Sequence, residues 1–298
     1  MRIMPWHQSN WDARAAGNFI GGGSGCGLLI FAALTPLLNG SAADYRWQAV
    51  VALIFIAAGL LCVLAEIGRP FRALNVFLHP QTSWMTREAM MAPLLFASGA
   101  IAAWQDGGIF SGITTLFAIG YLYCQARMLA AAKGIPAWRE PKVIALMIST
   151  GLTEGAGLAT LLATLFSGVA PRWLAGALLA ALILRRLSWK MYHAALEKQG
   201  APMQTLEVLT RFAGRFSTYG QSIPEMLIVA ALFIGSELIW LLPLAGAAAA
   251  FSGWALKFTI VARAAYNQGY ALPVLPIRGQ GHALPGVKPG WSKAVAEE

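Results

Sequence analysis

The chain has 298 residues, of which 57% are hydrophobic and only 12% charged, and its mean hydropathy is +0.59. Those values exclude an ordinary soluble domain and point to a polytopic membrane protein. The formal charge of +9 is membrane topology before it is nucleic-acid binding, because no basic run is long or clustered enough for the latter.

The amino-terminal stretch Met1-Arg-Ile-Met-Pro-Trp-His-Gln-Ser-Asn-Trp-Asp12 lacks the charged segment, short apolar core and small-residue cleavage site of a signal peptide, so none is expected to be removed. Apolar windows near the ~20 residues that a hydrocarbon core demands then follow, at roughly 15–37, 48–66, 88–104, 108–131, 142–168, 172–189, 224–242 and 243–265. The last two share one apolar run, 226–256, too long for a single crossing, and are divided by a tight turn at Pro243. These windows are continuously apolar and rich in Ala, Leu and Gly, whereas a β-barrel needs short alternating segments. The expected fold is therefore all-α: eight transmembrane helices over residues 1–273, arranged as two four-helix bundles. Residues 274–298, with Pro276, Pro285, Pro289 and several glycines, are expected to form an irregular cytoplasmic tail.

The first window carries Gly21-Gly-Gly-Ser-Gly25-Cys-Gly27. No strand and helix flank it as they would a phosphate loop, so close helix–helix contact is its expected purpose. Charges deep in a bilayer are costly and therefore informative. Glu154 falls near the middle of the fifth window, Glu237 well inside the seventh, and Lys257 about halfway along the eighth. Glu154 and Lys257 lie at similar depths, so they can pair, either as a structural lock or as a proton path from the far side.

With eight helices both termini share one side with the loops at 67–87, 132–141 and 190–223. All but Arg46 and Arg172 of the 22 basic residues then lie on that side, which the positive-inside rule makes cytoplasmic. Cys26, Cys62 and Cys124 lie in helical windows, far apart and without Cys-x-x-Cys spacing, so they read as packing residues and not as ligands of an iron–sulfur cluster. His7, His79, His193 and His282 lie in loops or at helix ends, so axial ligation of a haem b is not expected.

The most specific feature is polar. Glu66-Ile-Gly68-Arg69-Pro70, then a short amphipathic piece, then His79-Pro80-Gln-Thr-Ser83-Trp84-Met85-Thr86-Arg87-Glu88 interrupts two spans. With the opening segment Trp11-Asp-Ala-Arg14-Ala-Ala-Gly17-Asn18-Phe-Ile-Gly21, this resembles the NrfD/DmsC family of quinone-reactive membrane anchors, over roughly residues 6–275. Within it, Lys257-Phe-Thr-Ile-Val-Ala-Arg263-Ala-Ala-Tyr266-Asn267-Gln268-Gly269 and the tail look most like anchors of the phenylacetyl-CoA:acceptor oxidoreductase and sulfite dehydrogenase type. The resemblance implies a bacterial inner-membrane subunit that binds ubiquinone or menaquinone. Its partners would be a four-cluster ferredoxin-like iron–sulfur subunit and a catalytic subunit holding a molybdenum or tungsten bis-pterin cofactor. Substrate chemistry would then occur in another chain.

A quinone site needs an apolar slot, polar groups for two carbonyls and a proton-exchanging group. Glu66 suits the last role, or else an ion pair anchoring its helix end. His79 has a suitable natural pKa, though a His-Pro turn residue also serves as a loop hydrogen bond. Asn18 is a candidate carbonyl partner or a packing residue among the glycines; Arg14 and Arg69 are further candidates at the slot. Trp11, Trp84 and Tyr266 are candidate ring walls, against the ordinary role of aromatic residues as headgroup anchors. Arg72 and Arg87 suit partner docking or helix-end snorkelling. The alternative function is an ion-coupled secondary transporter using Glu154, Glu237 and Lys257. It predicts an inverted repeat, yet no persuasive one is visible and the polar motifs gather at one interface.

Overall fold

In the computed structural model, residues 4–39, 43–67, 70–234 and 240–269 are described. Their architecture is all-helical. In chain order the helices are α1 (Ala13–Asn39), α2 (Ala43–Glu66), a 3₁₀ helix (Pro70–Leu78), α3 (Trp84–Trp104), α4 (Gly108–Ala131), the single turn α5 (Pro136–Arg139), α6 (Lys142–Ser167), α7 (Arg172–Lys198), α8 (Met203–Arg215), α9 (Ile223–Ile234) and α10 (Leu241–Phe258). A π-helical segment (Phe216–Ser222) joins α8 to α9, and another (Thr259–Arg263) extends α10.

Five of these, α1, α2, α4, α6 and α10 with its π extension, are long and apolar enough to cross a membrane, which fits a multi-pass membrane protein. Helices also occupy the three other expected windows, as α3, α7 and α9. Three boundaries differ from expectation. Ser83, whose side chain accepts from the Thr86 amide at 3.2 Å, caps α3 one turn before the expected start at 88. Helix α7 runs on to Lys198, and α8 fills part of what reads as a loop. The outgoing turn at Pro243 falls inside the first turn of α10, where proline's missing N–H costs least. Glu237, Arg69 and the tail 274–298 lie outside the described residues.

Glycine decides how the helices meet. A Cβ on Gly155 would lie 2.0 Å from the Gly27 carbonyl carbon, and one on Gly21 would lie 2.4 Å from the Phe55 carbonyl oxygen. Helix α1 therefore touches α6 and α2 backbone to backbone, as the glycine run leads one to expect. Gly157 and Gly246 form the same kind of contact between α6 and α10. Around these seams lie two apolar clusters. The larger gathers α1, α2, α3, α4, α6, α7, α9 and α10; the smaller, around Trp138, Trp189, Tyr192 and Phe216, closes the end of the molecule that carries α5 and α8.

Candidate functional site

At the end of the molecule where α2 stops and α3 starts, the fold forms a half-open cavity of about 620 Å³. Capping by Ser83 sets the register of α3, so that Met85, Glu88, Ala89 and Ala92, at helical i, i+3, i+4 and i+7 spacing, share the face that lines it. Leu60, Val63 and Leu64 of α2 form a second wall, and Ala73, Val76 and Phe77 of the 3₁₀ helix a third. The Thr86 hydroxyl donates to the Val76 carbonyl and so ties the 3₁₀ helix to α3. Trp11 and Phe19 complete the lining from the side of α1.

The cavity is apolar except at one end. There Asn18 and Glu88 lie 4% exposed. Glu88 Oε1 accepts from Asn18 Nδ2 at 3.3 Å and from Gln125 Nε2 at 3.1 Å, and Gln125 Nε2 also donates to the Asn18 backbone carbonyl at 3.0 Å. One buried atom beside this carboxyl, Asn18 Oδ1, has no hydrogen-bond partner among the described residues. An orphaned buried polar atom costs free energy unless something else satisfies it. Asn18 lines the cavity, with this oxygen itself buried behind that lining.

Of the residues singled out from sequence, Trp11, Asn18 and Glu66 line the cavity. Trp11 also stacks on Trp138, ring centres 4.7 Å apart, and lines a second, more polar cavity of about 480 Å³ with Lys133 and Asn267. Arg14 lies outside. It pairs with Asp12 at 2.8 Å and donates to the Ala65 carbonyl at 2.9 Å, clamping the end of α2 beside Glu66. Asp12 is exposed and caps α1 by accepting from the Arg14 amide at 2.7 Å; bonding to Arg14 holds its carboxyl below the usual carboxylate range.

His79 is exposed and outside the lining; its carbonyl closes the turn before α3 by accepting from the Ser83 amide at 3.0 Å. Trp84 also lies outside, with the Arg87 and Arg127 guanidinium groups 4.1 and 4.8 Å from its ring centre. Arg87 donates to the Pro80 and Gln81 carbonyls, so it braces its own loop. Tyr266 packs edge-on against His7 at 5.0 Å, joining the amino-terminal segment to the chain after α10. Arg72 lies in the 3₁₀ helix, and its side chain is outside the described residues.

A second polar cluster lies on the other flank of α1. Lys257 Nζ is 2.6 Å from Glu154 Oε2, and the two side chains are 1% and 0% exposed. The ammonium also donates to the Phe19 carbonyl at 2.9 Å; Ser24 donates to Glu154 Oε2 at 2.8 Å, and Trp254 to Ser24 at 2.8 Å. Gly23 makes room, since a Cβ there would lie 2.0 Å from the ammonium. Consecutive carbonyls of α1 thus serve the two clusters: Asn18 accepts from Gln125, Phe19 from Lys257.

Sequence reasoning missed two buried groups. Glu88 reads both as the end of the polar motif and as the first residue of the third window, and only the Ser83 cap, a Ser-x-x start before an apolar run, signals that it lies a turn inside the helix. Arg185 reads as a helix-end charge. It is fully buried on α7 instead, donating to the Ala249 and Gly220 carbonyls and to Ser252.

Over 135 residues the chain is 29% identical to a subunit of the sulfite dehydrogenase of Allochromatium vinosum. That match covers 39% of this chain and 41% of the relative, so it spans less than half of either. No family model matches the chain.

Proposed function

We propose that this chain is the quinone-binding membrane anchor of a multi-subunit molybdenum or tungsten oxidoreductase, an NrfD/DmsC-like subunit that exchanges electrons between a partner's iron–sulfur clusters and the membrane quinone pool. One observation carries the reading: an apolar slot of about 620 Å³ ends on a buried amide and carboxyl, with an amide oxygen left unpartnered among the described residues. A quinone would supply a carrier of two electrons and two protons there. A turn of the Asn18 side chain would bring its buried oxygen to a hydroxyl, or its amide group, which now donates to Glu88, to a carbonyl. Glu88, adjacent and buried, holds or releases a proton at its carboxyl, while Leu60, Val63, Phe77 and Met85 exclude water. Glu66, at the rim beside Arg14, connects this end with the outside.

The local likeness to a sulfite dehydrogenase subunit supports membership in an oxidoreductase complex. The reading includes eight spans in two four-helix bundles, both termini in the cytoplasm and the bacterial inner membrane as location. The iron–sulfur subunit would dock over Trp6, Trp11 and the turn before α3, with Arg87 at its edge. Transport coupled to Glu154 and Lys257 draws no support, because each charge is already neutralised by the other within hydrogen-bond reach.

Purification in mild detergent tests the reading. The chain should bring down cluster-bearing and molybdopterin proteins and reduce or oxidise added quinone. Asn18→Leu and Glu88→Gln should each lower quinone-linked turnover about tenfold, the value of one lost buried hydrogen bond, with assembly intact. A chain that purifies alone, or variants that turn over normally, would overturn it.

A further inference from the structure

At the end of α2 and α3 opposite the candidate site, these helices leave an outward-facing apolar groove of about 670 Å³. Leu53, Ile54 and Ala57 of α2 and Phe96 and Ala100 of α3 line its length, and the cation Arg46 stands at its mouth beside Trp104. From Arg46 to Ala57 the helix rises about 16 Å, which is about the hydrocarbon depth of one leaflet. Trp104 is 85% exposed at the mouth, and Trp47 and Trp240 are exposed at the same ends of α2 and α10. Tryptophans at this level mark a membrane–water interface, so the mouth lies where lipid headgroups begin.

The mouth carries both signs of charge. Arg46 Nη2 is 2.8 Å from Asp106 Oδ2, and Nε donates to the Ala103 carbonyl at 3.1 Å. The hydrogen bonds among the described residues use Nε and Nη2, which leaves Nη1 for an outside acceptor. Asp106, at φ +53°, is followed by Gly107 at +111° and Gly108 at +64°; this left-handed turn holds its carboxylate over the end of α3.

We propose that this groove is a phospholipid site selective for a zwitterionic ethanolamine headgroup. One acyl chain lies between α2 and α3, the phosphate accepts from Arg46 Nη1, and the ammonium meets Asp106. A glycerol headgroup carries the same phosphate but ends in neutral hydroxyls and so places no cation on Asp106, which leaves the ammonium of the ethanolamine headgroup as the feature the paired arrangement selects by charge complementarity. The inference needs only that α2 and α3 face lipid, and it stands apart from the quinone reading.

Native mass spectrometry of the full chain, equilibrated with equal phosphatidylethanolamine and phosphatidylglycerol of matched acyl chains, tests it. The wild-type chain should retain the ethanolamine lipid preferentially. Arg46→Ala and Arg46→Gln should lower retention about tenfold; the glutamine variant keeps donors for the α3 carbonyls in case alanine frays that helix end. Asp106→Asn should abolish the headgroup preference, and Ala100→Trp should block both lipids. Helix content by circular dichroism confirms that each variant is folded. Equal retention of the two lipids by the wild type, retention unmoved by either Arg46 variant or by Ala100→Trp, or recovery of quinone from the groove would each overturn the proposal.

Discussion

Replacing Lys257 by methionine removes one half of a fully buried pair and strands the other. Glu154 would keep one hydrogen bond, from Ser24, on a carboxylate 0% exposed, and its Oε1 already has no partner among the described residues. Stranding a buried charge costs about 3–5 kcal/mol, whereas replacing both partners by uncharged groups is often nearly neutral. The double variant Glu154→Gln/Lys257→Met leaves an amide that Ser24 can still serve, and loses mainly the ammonium bond to the Phe19 carbonyl, about 1 kcal/mol. The single Lys257→Met chain should therefore be less stable than the double, with a coupling energy of about 2–4 kcal/mol. Unfolding of the purified chain by dodecyl sulfate in mixed micelles, followed by circular dichroism, reads both quantities. Additive costs, or a single variant within about 1 kcal/mol of wild type, would refute the reasoning, since a pair so buried cannot be lost cheaply if it is charged.

Glu154→Gln that leaves quinone-linked turnover and proton stoichiometry unchanged would assign this pair to structure and remove the proton route. Gly155→Ala should destabilise by about 1–3 kcal/mol because its methyl meets the Gly27 backbone, which cannot move aside; Gly112→Ala, with open space around it, should be neutral or stabilising by up to about 1 kcal/mol. A thermal-shift assay comparing the two checks the seam. His79→Ala should leave quinone affinity within about twofold, because the side chain stands outside the cavity; a tenfold loss in a quinone titration would place it in the site. Asp12 titrates below its ordinary value when folded. Its contribution is therefore complete above its unfolded pKa of about 4 and is lost as pH falls through the lowered folded value. Asp12→Asn should remove that part of the acid dependence in a pH series of melting temperatures.

Much of this was legible because membrane helices are dictated by length and apolarity. Each of the eight windows holds a helix among the described residues, five of them long and apolar enough to span, and the similar depths of Glu154 and Lys257 allowed their pairing to be expected from 1.5 Å per residue. Where reading failed, tertiary packing had changed the meaning of a residue. Glu88 falls at the edge of its apolar window, and only the cap at Ser83 moves the helix start far enough to bury it. Helix α8 contains too few apolar residues to register as a span; Leu206, Leu209 and Phe212 instead mark an amphipathic face that packs on the smaller core. Arg185 is buried because the π-helical turn at 216–222 presents the Gly220 carbonyl to it, a backbone detail that no side-chain pattern announces.

The glycine seams also have a mechanical consequence. Helices that touch through side chains can slide as rotamers change, but α1 meets α2 and α6 through backbone atoms that have no rotamers to exchange. The Asn18 wall of the cavity is thus a fixed jaw, held in register from two directions. Any adjustment to a bound ring falls to the opposite jaw, the 3₁₀ helix and the first turns of α3, which side-chain contacts, the Thr86 hydroxyl and the turn at His79 hold in place.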